Sequence, residues 1–139
     1  MGLFGKTKRQ KTLMQSFRNA VAGDSKNDEP GFTYAEKAVT TLTRLYHTRD
    51  QHTDHPRQMA VTLLWCTKIC GGVGNVQDVY DSTSQRLAEI LVEQGGLTSD
   101  QKLDFIDYAK KSWDLIPQNT KNEILHGTDK TPPFERNFT

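Results

Sequence analysis

The chain is poor in cysteine, with two in 139 residues, which excludes a disulfide-built scaffold. Both lie in one apolar run, as Cys66 and Cys70. If that run is helical they sit on adjacent turns of one face, a poor geometry for a disulfide. There is no apolar h-region near the start, so no secretory signal is expected. No apolar run is long enough to cross a bilayer: AVTLLWCTKICGGV, the longest, is interrupted by Thr62, Thr67 and Lys68. These absences together lead us to expect an intracellular, reducing compartment and a chain that is neither secreted nor transmembrane. The closing N-F-T, Asn137 to Thr139, is then a coincidental match to a glycosylation sequon. No stretch alternates apolar and polar residues as a half-buried strand does. Acidic residues are missing from the first eighteen positions, which hold five basic ones. The other 121 residues carry 13 basic and 17 acidic side chains and sum to about −4.

What is present reads as helix. Thr33 with Glu36 forms a capping box opening a helix over 33–48, with Ala35, Ala38, Val39, Leu42, Leu45 and Tyr46 on one face. HTRDQHTDHP comes next, a loop without an apolar residue. Residues 57–70 are apolar almost all round, including Leu64 and Trp65, as befits a central buried helix. Gly71-Gly72 ends it. Asn75 caps a helix over 76–94 that buries Val76, Val79, Tyr80, Thr83, Leu87, Ile90 and Leu91. Thr98 with Gln101 caps the next, to about Leu115, burying Leu103, Ile106, Ala109, Trp113 and Ile116 before Pro117. Thr120 with Glu123 starts a last short helix, closed by Gly127. The expected fold is an all-α compact bundle of four main helices plus a short C-terminal one, with no sheet. A length of 139 residues suits one such domain. Its expected organisation is a basic flexible arm and linker over 1–32, the bundle over 33–127 and a flexible tail over 128–139. Leu42, Leu64, Trp65, Leu87, Ile106 and Trp113 are the expected core.

Motifs for chemistry are few. CGGVGN lacks the Lys-Ser/Thr of a P-loop and comes after a helix rather than a strand, so a tight turn is the better reading. An anion at the helix N-terminus beginning at Val76 is the weaker one. His47, His52, His55, Asp50 and Asp54 are metal-ligand types, but their spacing matches no closed zinc motif and Arg49 stands among them. A solvated loop is preferred there, with no metal and no cofactor. Asp100, Asp104 and Asp107 suit the positive end of a helix. No G-x-S-x-G or H-E-x-x-H occurs, and a non-enzymatic role is expected.

The N-terminal segment carries the strongest signal. Lys6, Lys8, Arg9, Lys11 and Arg18 alternate with apolar residues, and Leu13, Phe17 and Val21 would form one helical stripe. That combination suits an anionic membrane surface, each basic group contributing about 1 kcal/mol. The same charges suit nuclear import through K-T-K-R-Q-K, or RNA as the less favoured partner. A disordered solubilising tail is the plain alternative. Lys6 stands where an N-myristoylation motif wants Ser or Thr. In the tail, Phe134 and Phe138 either pack back on the bundle or form a short linear motif beside Pro132-Pro133.

The stretch A-E-K-A-V-T-T-L (Ala35 to Leu42), the apolar helix at 59–70, the L-A-E-I-L helix and D-L-I-P-Q (Asp114 to Gln118) together resemble the C-terminal half of paramyxovirus accessory C proteins, morbillivirus-like. The resemblance covers about residues 35–125, with a much shorter N-terminal region here. It implies a small non-enzymatic viral protein encoded in a frame overlapping the phosphoprotein gene. It implies tuning of viral RNA synthesis through the polymerase complex and antagonism of the interferon response through host innate-immunity proteins. Some members act at membranes during budding. Host-cell cytoplasm, membrane association or nuclear shuttling would be the matching locations. The rival expectation is a helical matrix-like protein that coats a membrane during assembly and budding.

Overall fold

The computed structural model describes residues 13–22, 29–71, 74–127 and 132–133, and every regular element among them is helical. In chain order, α1 spans 13–22, α2 Glu29–His47, α3 His55–Cys70, α4 Val76–Glu93, α5 Lys102–Trp113 and α6 Gln118–His126. A 3₁₀ turn at Ser99–Gln101 leads into α5. The fold is all-α.

The bundle is organised around α3. Its residues Met59 to Thr67 are buried without interruption, because Met, Val, Leu and Trp occupy every side of the helix. α2, α4, α5 and α6 all pack against it. A helix buried all round must satisfy its polar side chains internally. Thr67 does so by donating to the Leu63 carbonyl at 2.7 Å. Gly71, at φ 69°, turns the chain out of α3 in the left-handed region that glycine adopts without strain. Lys68, in the last turn, donates to the Gly127 carbonyl beyond α6 and ties the two helix ends together. Pro132, from the expected tail, is also fully buried.

Local signals set several boundaries. The Asn75 side chain accepts from the Gln77 amide at 2.9 Å and the Asp78 amide at 3.4 Å, opening α4 where the sequence places it. Thr98 and Gln101 form a reciprocal capping box. Two other expected boxes do not form as starts. Helix α2 begins at Glu29, so Thr33 lies inside it, and α6 begins at Gln118 behind Pro117, so Thr120 lies inside that one. The flexible arm and linker expected over 1–32 therefore give way to helix from Glu29 onward.

The largest correction is at the N-terminus. The arm expected over 1–32 contains α1, and α1 belongs to the bundle. Met14 and Phe17 are 1% and 2% exposed in the common core cluster, with Leu13 and Val21 packed against it. Arg18 donates to Glu36 of α2 through Nε at 2.7 Å. Phe17 thus joins the bundle through the apolar stripe, which finds protein to bury against, and Arg18 through its ion pair with Glu36. Lys6, Lys8, Arg9 and Lys11 lie outside the described residues, as do Phe134 and Phe138.

Leu42, Leu64, Trp65, Leu87 and Trp113 are buried. Ile106 is only partly buried at the margin of the core. On α5 the inward residues are Phe105, Ala109, Ser112 and Trp113, and Leu103 is 76% exposed. Val76, expected in the core, is exposed as well.

Candidate functional site

Polar residues converge where α2 ends. The Tyr46 hydroxyl donates to Asp104 on α5 at 2.6 Å. Arg49 donates to the same carboxylate at 3.2 Å and to the Tyr46 carbonyl at 2.8 Å, with its guanidinium 4.2 Å from the Tyr46 ring centroid. Asp104 therefore joins α5 to the end of α2, beyond its favourable place in the first turn of α5. Burial, then the bond to Asp104, hold the Tyr46 phenol above its usual range, against the opposing charge of Arg49. The Tyr108 phenol beside them finds no hydrogen-bond partner among the described residues and is pushed up to about 12 by burial, eased by Arg49 and reinforced by Asp50.

The turn from Thr48 to Asp54 leads directly into α3 and carries the ligand-type residues. Three of the five come together. His52, Asp54 and His55 bring potential ligand atoms within 4.8 Å of one another. The rings of His52 and His55 lie 4.6 Å apart. His47 points elsewhere, its Nε2 meeting the Gly96 carbonyl at 2.6 Å. Asp50 is exposed and outside the group. Arg49, whose charge opposes a cation in this turn, is drawn away by Asp104 and Tyr46.

A concavity lies between the end of α3 and α4, a cleft of about 270 Å³ lined by Cys70, Gly71, Asp78, Val79, Ser82, Thr83 and Arg86. Arg86 hydrogen-bonds the Cys70 thiol and favours its ionisation, but burial outweighs it and keeps the thiol above its usual range. Cys66, fully buried one turn earlier, is pushed well up by burial and then by Cys70. Both cysteines are free thiols. The glycine-rich turn opens onto this cleft through Gly71.

The basic residues 6–11 and the histidine–aspartate group lie in separate parts of the sequence, with α1 and α2 between them. The partnership of Tyr46 with Asp104 escaped the sequence, since it spans 58 positions and no local spacing announces it. Comparison with protein-family models, with curated proteins and with solved structures finds no match to this chain.

Proposed function

We propose that the chain is a non-enzymatic helical adaptor of the paramyxovirus accessory C type. It acts on viral RNA synthesis through the polymerase complex and blunts the host interferon response, in the cytoplasm of the infected cell. The observation that supports this reading is how the interior uses its reactive groups. The buried hydroxyls of Thr67, Ser84, Ser112 and Tyr80 each donate to a backbone carbonyl, at 2.7, 2.9, 2.7 and 2.7 Å. The Cys66 thiol is held protonated by burial. The bonds of Thr67, Ser84 and Ser112 close within their own helices and that of Tyr80 ties α4 to α5, and hydroxyls committed in this way are not poised as nucleophiles. Work is left to the surface, where Leu103 in the first turn of α5 and Leu115 just beyond its end stand 76% and 56% exposed.

The matrix-like alternative draws on an apolar stripe beside the basic segment. Phe17 of that stripe is committed to the core, which weakens the alternative and leaves Lys6, Lys8, Arg9 and Lys11 as an electrostatic docking segment.

The test is a reconstituted paramyxovirus minigenome assay and an interferon-promoter reporter, with the full chain supplied in trans. Reporter RNA and promoter activity should both fall with dose. Leu103→Glu with Leu115→Glu should relieve the effect while far-UV circular dichroism and melting stay unchanged. No effect of the wild-type chain in either assay would refute the adaptor reading.

A further inference from the structure

We propose that His52, Asp54 and His55 bind one transition-metal dication of borderline softness, Zn²⁺ in the first instance, at the start of α3. The donor set is two imidazoles and a carboxylate, all accepted by zinc, with a fourth position for water. The strongest argument is the state of His55. It is 6% exposed, and its Nδ1 lies 3.1 Å from both the carbonyl and the hydroxyl oxygen of Thr48. The carbonyl can only accept. The hydroxyl spends its proton on the Arg44 carbonyl at 2.6 Å. Nδ1 must therefore carry a hydrogen, which leaves Nε2 as the nitrogen able to offer a lone pair to a metal, the backbone-anchored arrangement of metal-ligating histidines.

Asp54 supplies the second argument. It occupies the N-cap position of α3, yet its side chain makes no capping hydrogen bond. Its Oδ2 instead accepts from Gln58 Nε2 at 2.6 Å, which steadies the carboxylate as an outer partner does. The first turn of α3 contains no acidic residue, so Asp54 alone offsets the positive end of the helix dipole toward a cation. His52 completes the set from an exposed turn. Tetrahedral zinc at about 2.0–2.1 Å from each ligand sets donors roughly 3.3 Å apart. The 4.8 Å limit among the three groups leaves a closure of about 1.5 Å, taken up by rotation of the exposed His52 and Asp54 side chains.

Isothermal titration of the full chain with Zn²⁺ alone tests this. One ion per chain is expected. His52→Ala and Asp54→Asn, both at exposed positions, should each weaken binding by about tenfold or more. His55→Ala should weaken it further. Because that residue is buried, the decision rests on the two exposed variants, with circular dichroism confirming their fold. His47→Ala and His126→Ala should leave affinity within about twofold and retain a zinc-dependent rise in melting temperature. No stoichiometric uptake, or uptake untouched by His52→Ala and Asp54→Asn, overturns the proposal. So does equal weakening by His47→Ala, which would identify general surface-histidine binding.

Discussion

Among single residues, Phe105 and Leu103 separate what a side chain is from where it lies. Both are large and apolar, two positions apart on α5. Phe105 is fully buried, its ring 5.9 Å from that of Tyr46, whereas Leu103 is 76% exposed. Truncation should divide them sharply. Phe105→Ala should cost ~3–5 kcal/mol through lost burial and a residual cavity. Leu103→Ala should stay within about 0.5 kcal/mol, as exposed sites do. Denaturant titration of both variants measures the difference, and comparable losses would contradict the register of α5. Periodicity could not choose this face. Ala109 and Trp113 fit either stripe, and Phe105 lies one turn before Ala109 just as Ile106 lies close to it. The decisive contact is with Tyr46, far away in sequence. His52, Asp54 and His55 are legible as ligand types, but their convergence is made by a turn and not by a helical or strand repeat.

Among elements, α1 and α3 illustrate opposite degrees of legibility. α3 declares itself because a helix apolar on all sides has only the interior as a home. The starts of α4 and of the turn before α5 are legible for a different reason, since Asn75 and Thr98 bond within three residues of themselves. Thr33 and Thr120 have the same local pattern but lie within helices; Pro117 preorganises an earlier start for α6. The basic residues flanking its apolar stripe give α1 the look of an arm. Its burial of Met14 and Phe17 and the Arg18–Glu36 pair place it in the bundle. Removing residues 1–12 should leave the melting temperature within a few degrees. Removing 1–22 should cost several kcal/mol, since a Met or Phe truncated to Ala alone costs about 2–5 kcal/mol. Thermal melts of the two truncated chains check this. Equal stability would return α1 to the role of an arm.

Across the whole molecule, protonation links the helices. The Tyr80 phenol donates from α4 to the Ala109 carbonyl of α5, and burial, reinforced by Asp81, raises it far above its usual range. Tyr108 is pushed up to about 12 and Tyr46 is also raised, both chiefly by burial. In the unfolded chain these phenols ionise near pH 10. The folded state then binds more protons than the unfolded one above that pH, so stability is full below about pH 10 and falls as pH rises toward 12. Tyrosinate absorbance measured beside circular dichroism should show a late ionisation step coincident with unfolding. Ionisation of Tyr46, Tyr80 and Tyr108 near pH 10 with helicity intact would contradict the buried placements. The fold class is legible because helical spacing recurs along the chain. The joints between helices are not, because each links residues far apart in sequence.

The closure of α6 onto α3 has a consequence for the making of the protein. One face of α3 is covered by α6, and the bond from Lys68 to Gly127 forms only after Gly127 has been added. After Cys70 the ribosome adds 56 residues to reach His126, the last of α6, which takes about 3–11 s at roughly 5–20 residues per second. Throughout that interval the most apolar helix of the nascent chain lacks its last cover. A chaperone that holds apolar segments has that window in which to engage it, and ribosomes halted before residue 127 would carry chains prone to aggregate.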